Sequence, residues 1–217
     1  MKKTIAVIGA AGNMGSGISF NLAKAGYRIL LAGKDQSKLS NLLTKIKESV
    51  PNADVDILDC SKEASWEADI IIPAIPFQSQ VEVASKIKDV VTGKIVISIS
   101  NPLNETYDGL VTDPSTSAAE ELAKLLPYSK VVKAFNTVFG ADFNIPQIDG
   151  KTFDTFIAGD DDEAVLSVTE LVKDAGFNPL FAGKLSMSRT LENMMVLLIG
   201  LTMRNNYNWH AGWKILH

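Results

Sequence analysis

Short apolar runs and amphipathic stretches alternate along this chain. Residues 5–8 form an apolar run that ends in glycine, the form of a buried strand. Over residues 13–25 the apolar positions Met14, Ile18, Leu22 and Ala25 recur at helical spacing, and Gly26 supplies a stop. The same reading predicts a strand over 28–32, a helix over 35–50 with Leu39, Leu42, Leu43 and Ile46 on one side, and a strand over 55–58. A strand over 69–74, a helix over 77–91, a strand over 94–100, a helix over 118–126 and a strand over 130–135 follow. Beyond Gly140 the pattern gives a strand over 153–158, a helix ending at Ala175, a strand over 178–182, a long helix from 188 to 204 and an aromatic tail over 207–213. Nearly continuous Ile/Val strands between helices indicate a parallel sheet covered on both faces. The expected fold class is therefore α/β, a Rossmann-type doubly wound parallel sheet with a smaller C-terminal domain. Pro and Gly content makes 142–151 the best linker candidate, and the chain length suits one α/β domain with a small appendage or two small domains.

Composition narrows the setting. The net charge is -4 with acids and bases interspersed, so the basic footprint of a nucleic-acid binder is missing. The lone cysteine, Cys60, cannot form an internal disulfide, which suits a reducing cytoplasm. Lys2 and Lys3 before an apolar run imitate a secretion signal, but the run stops at Gly9 and reads as a strand. The longest strongly apolar stretch, 194–203, is about half of what a membrane helix needs. The expected partners are small molecules, with no nucleic acid and no membrane.

The most informative stretch is Gly9-Ala10-Ala11-Gly12-Asn13-Met14-Gly15. Without a Cβ, Gly12 lets a pyrophosphate approach the backbone, and Gly15 lets the helix pack closely on the first strand. The free N–H groups of Asn13 and Met14 and the helix dipole offer an anion site. Glycines also serve bare turns, but this motif lies directly after a strand and directly before an amphipathic helix, the context expected of a dinucleotide site. Strand two ends in Leu31-Ala32-Gly33-Lys34, with no acid at its tip to accept from a ribose diol. Lys34 and Lys38 instead supply cations for a 2′-phosphate, so NADP is expected over NAD, with Asp35 the one carboxylate able to swing back. The plainer alternative is that both lysines are solvated charges at a helix start.

These residues resemble the NADPH-dependent oxidoreductases of the deazaflavin (coenzyme F-420) reductase type. The matching pieces are the Gly9–Gly15 turn; Gly33-Lys34 with Lys38; Ile75-Pro76-Phe77; Lys133-Ala134-Phe135-Asn136-Thr137; Gly159-Asp160-Asp161-Asp162; and Leu185-Ser186-Met187-Ser188-Arg189 leading into Leu191-Glu192. The resemblance implies hydride transfer between NADPH and a deazaflavin, or a flavin in related branches, in a cleft between a larger nucleotide-binding domain, 1–145, and a smaller C-terminal one, 146–217. It implies that Gly9 and the stretch Ala11, Gly12, Asn13 and Met14 hold the pyrophosphate. Gly33, Lys34 and Lys38 would meet the 2′-phosphate, and Ile75 and Pro76 the adenosine. Asn101, Ala134, Asn136 and Thr137 would line the nicotinamide and acceptor end. Two positions depart from the pattern: Gly33 stands where a hydroxyl residue is expected, and Asn136 where the archaeal enzymes have His.

His210 and His217 both lie in the tail, so no histidine base is expected at the sheet edge. Hydride transfer between stacked rings needs alignment more than an acid or base, and no catalytic acid or base is assigned. Asp160, Asp161 and Asp162 lie between a strand and a helix, where N-capping accounts for them, and no metal is expected. The methionines Met187, Met194, Met195 and Met203 read as core or subunit contact before ring contact. The aromatic tail is expected to dock on its own domain or on a partner in a homodimer. An imine or hydroxyacid reductase and a non-catalytic NADPH-sensing module are the competing functions. The first of these needs a larger helical C-terminal domain than the residues after Asp142 provide.

Overall fold

The computed structural model describes residues 2–216; Met1 and His217 lie outside it. The first half comprises β1 (Thr4–Ile8), α1 (Asn13–Lys24), β2 (Arg28–Ala32), α2 (Gln36–Ser49), β3 (Val55–Leu58), α3 (Ser61–Glu67), β4 (Ile70–Pro73), α4 (Gln80–Ile87) and β5 (Ile95–Ser98). The second comprises α5 (Ala118–Leu125), β6 (Lys130–Lys133), the short pair β7 (Gln147–Ile148) and β8 (Lys151–Thr152), β9 (Asp154–Gly159), α6 (Asp162–Asp174), β10 (Asn178–Gly183) and α7 (Ser188–Asn205).

Eight strands form one sheet in the order β10-β9-β6-β5-β4-β1-β2-β3. The first six strands run parallel, as the apolar runs predict. The last two do not follow them: β9 pairs antiparallel with β6, and β10 runs parallel to β9. The chain after residue 146 thus extends the sheet begun by the first part. Because side chains alternate across a strand, Ile5 and Val7 pack under α1, α2 and α6, while Ala6 and Ile8 face α3 and α4. A further apolar cluster at the sheet edge joins Met195, Leu198 and Ile199 of α7 to Leu103, Phe139, Ala211 and Trp213.

Three local features differ from the sequence expectation. Helix α3 gave no periodic signal, since it is two turns long, buries only Ala64 and Ser65, and leaves Trp66 exposed. The helix expected over 77–91 is an α-helix flanked by 3-10 turns at Phe77–Ser79 and Lys88–Val90. The predicted linker is partly anchored. Asp142 and Phe143 are buried, and a Cβ at Gly17 would come within 2.8 Å of the Phe143 side chain.

Candidate dinucleotide site

Strand β1 delivers the chain into a turn whose three glycines have different causes. Gly9 has φ +82°, and a Cβ there would lie 2.4 Å from the Ala74 carbonyl oxygen. A Cβ at Gly15 would lie 2.4 Å from the Gly9 carbonyl oxygen, so both glycines are demanded by the protein's own packing. Gly12 is different. Its backbone is extended, and a Cβ would meet only the Gly9 oxygen at 3.4 Å, an ordinary contact. Gly12 is exposed and borders a cleft, so what its missing Cβ leaves open is room for something outside the protein.

Helix α1 starts at this glycine with no side-chain cap and no acid in its first turn. Helices α2, α5 and α6 are capped by Asp35, Ser117 and Asp161, whereas α3, α4 and α7, like α1, have no side-chain cap. The first amides of α1 therefore keep their donors and their share of the helix dipole for an anion. An uncapped helix start and a glycine open to the cleft fit a dinucleotide pyrophosphate.

The cleft, of 660 Å³, opens at the C-terminal ends of β1, β2 and β4, where the strand order reverses. Gly9, Ala11 and Gly12 border it, with Gly33, Lys34 and Lys38 from the β2 end and Ile75 and Pro76 from the β4 end. Asn13 is exposed beside an adjoining cleft that it shares with Lys38, and Met14 is half-buried against the core. Asp35 also lines the cleft, but as the N-cap of α2 and not as an unengaged carboxylate. It accepts from the Lys38 amide at 3.0 Å as the N-cap of α2, and this bond, with the Lys38 ammonium, holds it below the usual carboxylate range. Lys34 is almost fully exposed, and its Nζ lies 3.8 Å from Glu82.

Sequence reasoning missed Asp59, Ser61, Glu82 and Lys86 in this cleft. Glu82 and Lys86 are paired at 2.6 Å, one helical turn apart, and this hydrogen bond, together with Lys34, keeps the carboxyl of Glu82 low. The available signal was their i,i+4 spacing directly after Ile75-Pro76. Asp59 has only its place at the end of β3, which matters once β3 is known to lie beside β2.

The residues expected at the nicotinamide end gather at the tips of β5 and β6. Asn101 Nδ2 donates to the Asn136 carbonyl, and Asn136 Nδ2 donates to Asn101 Oδ1 and to the Leu191 carbonyl, each at 2.9 Å. Phe135 makes this possible by adopting φ 59° in a buried, non-glycine position, which turns the chain sharply after β6. Its ring is held by Phe143 and Phe177, with centroids 5.8 and 6.2 Å away. Ala134, Asn136 and Thr137 are buried and Asn101 is half-buried, so this group lies deeper than the adenosine-side cleft. Asn136 Oδ1 and Thr137 Oγ1 have no hydrogen-bond partner in the protein. Both atoms are closed off from solvent, and Ser98 Oγ at the end of β5 and several other buried side-chain atoms are likewise without a partner, so these two do not by themselves mark a ligand.

The aromatic tail docks on its own chain. The Asp154 amide donates to the Trp213 carbonyl, the buried Asp154 carboxylate accepts from Lys214 and the Ile215 amide, and Trp209 packs edge-on against Phe139. His210 lies 3.0 Å from Asp142, which also accepts from the Phe139 amide. Burial raises the Asp142 carboxyl from 3.8 to about 6, against the pull of those two partners. The folded protein then holds that proton more tightly than the unfolded chain does. Asp142 therefore contributes stability below about pH 4 that is lost as pH rises to about 6. Asp142→Asn keeps an acceptor for the Phe139 amide and removes the titration. Relative to the wild type, we expect it to gain on the order of 3 kcal/mol between pH 4 and 7, read from thermal melts across that range. Parallel pH profiles for the two proteins would refute this.

Asp160 accepts from the Leu185 amide, and Asp161 caps α6 and pairs with Lys130, so capping and pairing account for the acidic run. Cys60 is an exposed thiol, Met195 is buried, and Met203 is exposed. Among the described residues, no helix is long and apolar enough to cross a membrane.

The profile of a family described as NADP oxidoreductase, coenzyme F420-dependent, matches residues 4–102. An F420-dependent NADP reductase of Methanocaldococcus jannaschii is 31% identical over 211 residues, covering 92% of both chains. The chain belongs to this family. A second member with the same description, from Methanothermobacter thermautotrophicus, is 28% identical and aligns over 99% of this chain and 95% of its own. A solved structure from Arthrobacter sp. FB24 superimposes with a TM-score of 0.83 over 99% of this chain and all of its own, at 22% identity, and confirms the fold. Membership in the coenzyme F420-dependent NADP oxidoreductase family makes this protein an oxidoreductase. The family profile covers the glycine turn, the Lys34–Lys38 segment, Ile75-Pro76 and Asn101, and the full-length relatives extend the likeness through α7.

Proposed function

We propose that the protein transfers hydride between NADPH and a deazaflavin of the coenzyme F420 type. The carrying observation is the open Gly12 at the uncapped start of α1, in a cleft whose β2 side presents Lys34 and Lys38, with Asp35 engaged as the cap of α2. Residues 1–145 hold the dinucleotide in this reading, and the segment from 146 onward closes the acceptor end. The Asn13 and Met14 amides bind the pyrophosphate. Gly33 leaves space beside Lys34 and Lys38, which take the 2′-phosphate, and Ile75 and Pro76 give the adenosine an apolar surface. When bound, NADPH supplies the hydride and the deazaflavin ring accepts it. The protein's own work is alignment: the Asn101–Asn136 pair and Thr137 present fixed polar atoms at the far end of the sheet edge, and no side-chain base is required.

The test is NADPH oxidation by the purified protein, with deazaflavin, FMN, FAD and ferric chelates offered in parallel. Turnover with deazaflavin far above the others is expected. Tight NADPH binding without turnover on any acceptor would overturn the enzymatic reading. Lys34→Ala separates the two dinucleotides. Because Lys34 is exposed, we expect a loss of about 1 to 2 kcal/mol for NADPH at low salt, shrinking as salt is added. NADH affinity should change less than about twofold. Equal losses for both cofactors would show that the 2′-phosphate is not read there.

A further inference from the structure

Among the described residues, one ion pair lies wholly inside the protein. Lys133, the last residue of β6, and Glu192, in the second turn of α7, are both fully buried, with Lys133 Nζ 2.6 Å from Glu192 Oε1. Lys133 also donates to the Ser100 carbonyl, one residue before Asn101. The other Glu192 oxygen accepts from the Ala118 amide, at the first turn of α5, at 3.1 Å. Beside this pair, Leu191 accepts the Asn136 side-chain amide through its carbonyl, and Asn136 is cross-bonded to Asn101. One carboxylate thus ties together the end of β5, the end of β6, the start of α5 and α7. Burial drags the Lys133 ammonium below its ordinary range, and Glu192 opposes that shift.

Stability alone is a weak reason for such a pair, because a well-packed apolar pair of similar volume commonly serves as well or better. What an apolar pair cannot do is hold two particular carbonyl and amide groups at set positions. Here those groups are the Ser100 carbonyl, next to Asn101, and the Ala118 amide at the start of α5, while Glu192 itself directly follows Leu191, whose carbonyl accepts from Asn136.

We propose that Glu192, acting through Lys133 and the α5 amide, is the positioning residue of the nicotinamide end, holding the Asn101–Asn136 pair in register for the ring. Glu192 touches no reacting atom in this arrangement. The inference rests on the assignment of Asn101 and Asn136 to the nicotinamide made above. The adenosine-side cleft is built from β1, β2 and β4 and shares no hydrogen bond with the pair.

The test compares NADPH with 2′-phospho-ADP-ribose, which lacks the nicotinamide, by calorimetric titration. The wild type should bind NADPH more tightly than the fragment. If it binds both equally, the nicotinamide gains nothing from these residues and the inference falls, while the adenosine half of the site stands. If it binds neither, the functional reading itself fails. The variant is Lys133→Met/Glu192→Leu, which leaves neither charge of the pair buried alone and is expected to fold. It should bind the fragment within about twofold of the wild type, lose about tenfold for NADPH, and lose kcat with deazaflavin more than KM for that acceptor rises. A purely structural role predicts fragment and NADPH affinities that fall together or not at all, and either result overturns the proposal. Glu192→Gln, taken at a temperature where its near-ultraviolet circular dichroism matches the wild type, repeats the comparison with the side-chain shape kept.

Discussion

Gly12→Ala should fold as the wild type does and bind NADPH on the order of 100-fold more weakly, a loss of about 2.7 kcal/mol. The Gly12 backbone, at φ -75° and ψ 169°, suits any residue, and the new methyl would touch only the Gly9 oxygen at an ordinary distance. Alanine is a poorer N-cap than glycine, so a stability cost of about 1 kcal/mol or less is expected. The same methyl occupies the space through which a pyrophosphate reaches the first amides of α1. Gly15→Ala is the control with the opposite pattern. Its methyl would fall 2.4 Å from the Gly9 oxygen and 2.9 Å from the Ala10 Cα, both backbone atoms that cannot swing away. That variant should lose stability, by about 3 kcal/mol or more, as overpacked sites with no room to relax do. Thermal unfolding and NADPH titration on both variants check the pair. If Gly12→Ala binds NADPH as the wild type does, the pyrophosphate does not lie over this turn.

The second large effect is on stability. Lys133→Met leaves Glu192 buried without its ammonium partner, with only the Ala118 amide to satisfy it. Breaking one side of a buried pair costs about 3 to 5 kcal/mol, a large part of what a domain has to lose. Replacing both partners should recover most of that loss, because the remaining cost is only the lost ties to Ser100 and Ala118. Urea unfolding of the single and double variants measures the difference. A single variant within about 1 kcal/mol of the wild type would mean that the pair is solvated in solution and not the closed contact described above.

Much of this protein could be read along the chain. Every strand of the parallel sheet was marked by its apolar run, and β2 and β3 have the predicted limits, because a strand buried on both faces leaves few alternatives for its residues. The glycine turn was legible for a related reason, since its neighbours on either side, a strand and an amphipathic helix, are themselves local signals. Helix α3 was not, being too short for a period to repeat. The antiparallel entry of β9 was not either, because an apolar run carries no mark of its direction.

The site divided in the same way. Gly12, Lys34, Lys38 and Ile75-Pro76 are grouped by short stretches whose meaning follows from the turn they border. That Asp35 serves as the α2 cap at the edge of the cleft was decided only by the fold. Asp59, Glu82 and Lys86 entered the cleft because the strand order sets β3, β2, β1 and β4 side by side. Lys133 and Glu192, 59 residues apart, read in sequence as a charge at the end of a strand and a charge in a helix, both ordinary at a surface. Hydrophobic periodicity determined the elements and their order because it is a relation among near neighbours. Tertiary structure alone decided which charges are buried together, because the cost of burying a charge depends on a partner that only packing supplies.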